Sequence, residues 1–372
     1  METRVINIDC KKPDTSQISQ IAELIDSGRL VAFPTETVYG IACRVSNASL
    51  AQLDKIKART PNKYYTLHIG QKSDVRKYVP TIGLNAQKLI QKAWPGPLTI
   101  IFELQQGDIA KLRDNFDSDT IENLYKDNSI GIRCPDNKIA QLLLCGCKNP
   151  VVAPSANITG QPPATNAGQV LDQLSGQIDM VLDGGETKYK KNSTVVKIGK
   201  SALKILRQGQ YTELQLKKAF TANFLFVCTG NTCRSPMAEA MFKKHLAEKL
   251  NCKVDQLEEK GYKIYSAGIM GLSSLPASAE AVQACAKLGV DITGHRSSAL
   301  SKELVSQSDF IFAMADCHQK GIVDADADAA KRCWLLADEQ IIDPIGKSQE
   351  FYDNCLALIE KAVKKRISEI II

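Results

Sequence analysis

The chain carries two kinds of hydrophobic pattern, short apolar runs and longer stretches in which apolar residues recur every three or four positions, and their arrangement divides it in two. From Phe224 onward the kinds alternate regularly. Phe224-Leu225-Phe226 leads through Val227 to Cys228, 237–246 has helical spacing, and Lys263-Ile264-Tyr265 reads as a strand. A helix over 276–288 closes at Gly289, 309–314 reads as another buried strand, and Trp334-Leu335-Leu336 follows. Leu356, Ile359, Val363 and Ile367 put a buried stripe on the last helix. This alternation predicts a small doubly wound α/β domain with a parallel sheet, a fold that binds ligands at the carboxyl ends of its strands.

Upstream, to about Gly209, the pattern is less regular. Strands at 30–33, 65–69, 98–102 and 151–153 mix with helices, and Pro95-Gly96-Pro97 breaks the chain before the third. The expectation is an α+β domain around a large twisted sheet. Residues 210–221 read as a short amphipathic or irregular connector, and the 372 residues are comfortable for two domains. The chain contains no internal repeat or low-complexity tract.

Composition narrows the class. A net charge of +6, dispersed along the chain, suits anionic substrates without demanding nucleic acid. The apolar runs are strand-sized, so no membrane span is expected. The start Met1-Glu2-Thr3-Arg4 has no secretory apolar segment, and the twelve cysteines are scattered, which favours reduced thiols and a cytoplasmic location. Cys145-Gly146-Cys147 has no second pair at zinc spacing, so no metal site is expected.

The run Val227-Cys228-Thr229-Gly230-Asn231-Thr232-Cys233-Arg234-Ser235-Pro236 lies between a strand and a helix. Backbone N–H groups of such a turn form a nest for a phosphoryl dianion, and the same field favours thiolate at Cys228, the candidate nucleophile. Arg234 supplies a planar fork for two phosphoryl oxygens, Ser235 can hydrogen-bond the sulfur, and Asn231 can brace the loop. Asp343, in Asp343-Pro344-Ile345-Gly346, is the candidate general acid. With Ser266-Ala267-Gly268 and 309–314, these residues make 222–372 resemble the low-molecular-weight phosphatase family, which implies hydrolysis of phosphorylated proteins. Thr232 stands where tyrosine-specific relatives usually carry a bulky aliphatic residue, as in bacterial protein-arginine phosphatases, so phosphoarginine is expected ahead of phosphotyrosine. Cys233 beside Cys228 is a candidate partner for a reversible disulfide.

Four clusters stand out upstream: 33–40 (FPTETVYG), Lys57-Ala58-Arg59, Pro154-Ser155-Ala156-Asn157 with Gly160, and Ser193-Thr194-Val195-Val196. Taken with 94–99 (WPGPLT), Gly131-Ile132-Arg133, Asp183-Gly184-Gly185 and Ile205-Leu206-Arg207, they make 12–212 resemble the YrdC-like threonylcarbamoyl-AMP synthase family. The resemblance implies that L-threonine, bicarbonate and ATP give threonylcarbamoyl-AMP and pyrophosphate, and that a tRNA threonylcarbamoyl-transferase complex uses the product. Mg²⁺ is expected with the nucleotide, as triphosphate chemistry requires. Lys57, Arg59, Lys63, Ser155, Asn157 and Arg207 are the expected ATP-binding residues. Thr35, His68, Arg133 and Ser193 are expected at threonine. The chain departs from the family pattern at Asn62-Lys63-Tyr64-Tyr65 and at Pro135-Asp136-Asn137-Lys138.

A bifunctional enzyme is the preferred reading. Two others stay open: a catalytically weak nucleotide- or RNA-binding first part serving an active phosphatase, or an active synthase carrying the second part as a scaffold.

Overall fold

The computed structural model describes residues 2–58, 65–199 and 203–370. The chain folds into two compact units, 1–82 with 86–220, and 83–85 with 221–372. Its architecture is mixed α/β, with a larger mixed sheet in the first unit and a parallel sheet in the second.

The sheet of the first unit has ten strands among the described residues: β1 (Arg4–Asn7), β2 (Val31–Phe33), β3 (Gly40–Arg44), β4 (Leu67–His68), β5 (Leu98–Glu103), β6 (Ser129–Arg133), β7 (Val151–Val152), β8 (Met180–Asp183), β9 (Thr194–Ile198) and β10 (Leu203–Arg207). Their order is β1-β8-β2-β3-β7-β4-β6-β5-β9-β10. Alternate side chains enter different cores. Val31 and Phe33 pack with Ile21, Ile25 and Leu143, whereas Leu30, Ala32 and Ile41 join the cluster of Leu67, Ile100 and Ile132.

Register in the middle of this sheet decides where the polar residues meet. His68 and Thr99 are both opposite Arg133, from β4 and β5 on either side of β6, and Thr99 faces Val195 of β9. Four strands distant in sequence therefore present their polar ends together.

The second unit is built on β11 (Ala222–Cys228), β12 (Tyr262–Gly268), β13 (Phe310–Ala313) and β14 (Cys333–Leu335), in the order β12-β11-β13-β14 and all parallel. β11 is central, so it is apolar on both faces: Phe224 and Phe226 pack with Met241 and Phe242, while Leu225 and Val227 pack with Ile311 and Ile322. The helices Arg234–Lys249 and Gln349–Glu369 cover the first of these faces.

Several element boundaries differ from the pattern reading. The strand expected at 65–69 is only Leu67–His68. The helix expected over 276–288 is Ala279–Lys287, because Ser278 accepts from the Ala281 N–H and caps it. Of the two readings of the connector at 210–221, the amphipathic one holds: it contains the helix Glu213–Phe220, which buries Leu216 and Phe220. No helix among the described residues is long and apolar enough to cross a membrane.

Candidate active sites

The first unit encloses a cavity of about 430 Å³. Thr35, Lys57, His68, Arg133, Ser155, Asn157, Ser193 and Arg207 all line it. Arg59 and Lys63 lie outside the described residues.

Lys57 ends the helix Asn47–Ile56, and its ammonium donates to the carbonyls of Ser155 (2.6 Å) and Asn157 (2.7 Å). The loop it grips is also closed internally, since Asn157 donates to the carbonyls of Ile158 and Gln161, both at 2.8 Å. Arg207, at the end of β10, donates twice to the Ser193 carbonyl (2.9 and 3.1 Å) and once to its hydroxyl (3.1 Å). Thr99 lies 3.0 Å from that hydroxyl. Burial, and then the Arg133 cation, lower the Arg207 pKa.

Arg133 is buried and pairs at 2.8 Å with the buried carboxylate of Glu36, while donating to Thr37 (2.7 Å) and Thr35 (3.4 Å). Glu36 also accepts from the Asp136 N–H at 3.0 Å. The Arg133 Nε has no partner. His68 is held through Nδ1 by the Thr66 carbonyl at 3.0 Å. Burial and the Arg133 cation push its pKa down to about 3, so the imidazole is neutral and its Nε2 is an acceptor. Among the described residues, no carboxylate lines the cavity and no group of three or more His, Cys, Asp or Glu could hold a metal. These residues do not fit a resident Mg²⁺ site.

The second site starts where β11 ends. Cys228 is the last residue of that strand, and the helix Arg234–Lys249 opens at the other end of the loop. Asn231 takes the left-handed φ of 55° and braces the loop from inside. Its amide donates to Ser235 and Ser266, both at 2.9 Å, and accepts from the Ser298 N–H at 2.7 Å. Ser266 in turn donates to Glu239 at 2.6 Å. Ser235 accepts from Asn231, and its hydroxyl lies 3.0 Å from Cys228 Sγ and 3.5 Å from the Ala267 carbonyl, the two partners its single hydrogen can reach. The Asn231 N–H also donates to that sulfur at 3.3 Å. His295 Nε2 lies 2.8 Å from the Asn231 carbonyl.

Arg234 is buried, donates to the Ile341 carbonyl and the Thr229 hydroxyl, both at 3.0 Å, and forms an ion pair with Asp343. Its Nε has no hydrogen-bond partner. Asp343 also accepts from the Ile345 N–H. Cys233 Sγ lies 3.3 Å from the Tyr352 hydroxyl and 3.4 Å from that of Ser278, and Thr232 beside it is half-buried. Gly268, where β12 passes the loop, has no room for a side chain: a Cβ would meet the Thr229 carbonyl at 2.8 Å and the Asn231 nitrogen at 2.9 Å.

Residues 23–209 match the Sua5/YciO/YrdC family model, described as telomere recombination. The chain belongs to this family. Beyond the Sua5/YciO/YrdC part, residues 223–371 match the low molecular weight phosphotyrosine protein phosphatase model, so the two families are joined in one chain. The threonylcarbamoyl-AMP synthase of Pyrococcus abyssi is 27% identical over 293 residues, 74% of this chain and 82% of that protein. That of Bacillus subtilis is 32% identical over 202 residues, 54% of this chain and 56% of that protein. The crystal structure of P. abyssi Sua5 complexed with L-threonine superposes with a TM-score of 0.52 at 21% identity, over 71% of this chain and 92% of that one, a likeness of fold. The chain is thus an enzyme with a transferase part and a hydrolase part.

Glu36, Thr37 and Thr99 in the first site, and Ser266, Glu239, His295 and His318 in the second, were not among the expected site residues. His318, whose Nε2 lies 2.9 Å from the Thr229 hydroxyl, is a single histidine on the helix Asp316–Ala325 and belongs to no motif that would have marked it.

Proposed function

We propose that the first unit makes threonylcarbamoyl-AMP from L-threonine, bicarbonate and ATP, and that the second hydrolyses phosphorylated protein side chains, phosphoarginine ahead of phosphotyrosine. The observation that carries the first half is the convergence of Lys57, Arg133 and Arg207 with Thr35, His68, Ser155, Asn157 and Ser193 on one cavity. The carbamate formed on the threonine nitrogen attacks the α-phosphorus of ATP, and pyrophosphate leaves. No protein nucleophile is needed, so the cavity acts by orienting two anions and stabilising the charge that develops between them. Lys57 and Arg207 face the phosphates. Arg133, held by Glu36, faces the threonine carboxylate with Thr35 and Ser193, and the bare Nε2 of His68 accepts from the threonine hydroxyl.

In the second unit the Cys228 thiolate attacks phosphorus while Asp343 protonates the leaving group. Water, activated by the same carboxylate, then hydrolyses the thiophosphate. Thr232 supports the phosphoarginine preference, because a hydroxyl tolerates a guanidino group and gives little apolar contact to a phenyl ring. Mass spectrometry of the nucleotide product, with threonine or bicarbonate left out in turn, tests the synthase. The preference is tested by kcat/KM on phosphoarginine and phosphotyrosine peptides for wild type and Thr232→Ile. The substitution should move the ratio toward phosphotyrosine, and a wild type that prefers phosphotyrosine would refute the preference.

A further inference from the structure

His318 lies on the helix Asp316–Ala325, directly after β13, and is completely buried. Its Nε2 is 2.9 Å from the Thr229 hydroxyl oxygen. The Arg234 guanidinium reaches the same oxygen from 3.0 Å. A guanidinium N–H only donates, so Thr229 accepts there. Burial and the Arg234 cation, partly opposed by Asp343, push the His318 pKa down to about 4, and the imidazole carries a single N–H. The other ring nitrogen, Nδ1, has no partner.

The two neutral tautomers are not equivalent. With the hydrogen on Nδ1, a buried N–H would be stranded. With it on Nε2, the hydrogen is given to Thr229 and only a lone pair is left unpartnered, the smaller cost. The Thr229 oxygen then accepts twice, from Arg234 and from His318, and both its lone pairs are used. Its own hydrogen points in the one tetrahedral direction that remains. A phosphoryl oxygen held by the Arg234 fork would be next to it, because fork and hydroxyl are already in contact.

We propose that the Thr229 hydroxyl is a side-chain donor to the phosphoryl group in the Cys228 loop, and that His318 is the positioning residue that fixes it as a donor. This rests on the phosphatase reading of the second unit. The loop then offers three kinds of donor to one anion: backbone N–H groups, the Arg234 fork and a hydroxyl directed by a buried imidazole.

Binding of inorganic phosphate to the full chain, followed by calorimetry, tests this without requiring turnover. Thr229→Val should weaken binding about tenfold, as expected for one lost hydrogen bond to a charged group, whereas Thr229→Ser should stay within about threefold. His318→Leu should match the loss in Thr229→Val, and the double variant should be no worse than Thr229→Val alone. His318→Gln, which keeps an N–H near the Nε2 position, should recover most of the affinity. If His318→Leu does not fold, His318→Gln in the wild-type and Thr229→Val backgrounds still measures the coupling. Unchanged binding by Thr229→Val, or losses at the two positions that simply multiply, would overturn the assignment. The predicted pattern in a wild type that hydrolyses neither phosphoarginine nor phosphotyrosine peptides would support the Thr229 donor and sink the hydrolase reading.

Discussion

Three hydrogen bonds to Ser193 hold the Arg207 guanidinium at the cavity, so its position is fixed before any anion arrives. A cation placed in advance contributes most where charge develops, typically on the order of a hundredfold or more in rate for a single donor. Arg207→Ala should therefore cut threonine-dependent pyrophosphate release by about 10² or more while leaving hydrolysis of a phosphopeptide intact, as parallel assays of one preparation would show. His68 leads to a pH prediction. Its folded pKa is depressed to about 3, whereas in the unfolded chain it titrates near 6.5. As pH falls through that window the unfolded chain takes up a proton that the folded one refuses, so stability is lost on acidification, by on the order of a few kcal/mol. Thermal melting at pH 7 and pH 4 should show a smaller acid loss for His68→Asn than for wild type, and equal losses would contradict the burial argument.

Among the elements, the approach of β12 to the phosphate loop is the tightest constraint on the second site. Gly268→Ala would drive a methyl group against the Thr229 carbonyl and the Asn231 nitrogen, and backbone atoms cannot yield cheaply. The loop should shift, lowering phosphatase kcat/KM at least tenfold while synthase activity in the same sample holds, which steady-state assays can check. Much of this architecture was legible in the sequence. The unbroken apolar run ending at Cys228 read as a buried strand, and the strand, turn and helix around Cys228 and Arg234 follow from the pattern; its inner place in the sheet came from the structure. Leu216 and Phe220 were harder to place, since a helix of eight residues leaves only a turn or two of periodicity. The Glu36–Arg133 pair was not legible at all. It joins positions 97 residues apart, through a sheet order that no local pattern encodes. The upstream site came into view through the resemblance of its motifs to a known family, and His318 escaped because a single histidine on a helix carries no signal until its neighbours are known.

The whole molecule is two units, each with its own sheet and core, and the described residues of each site lie within one unit. The two chemistries should therefore be separable by single substitutions: Cys228→Ser should abolish phosphopeptide hydrolysis and leave pyrophosphate release at the wild-type rate. The central claim is that the cavity formed around Lys57, Arg133 and Arg207 adenylates a carbamate of threonine. It is tested most directly by the rate of pyrophosphate release from ATP by the full chain, with bicarbonate present, measured with and without L-threonine. The account predicts release that requires threonine and disappears in Arg207→Ala; release that ignores threonine, or none from the wild type, would contradict it.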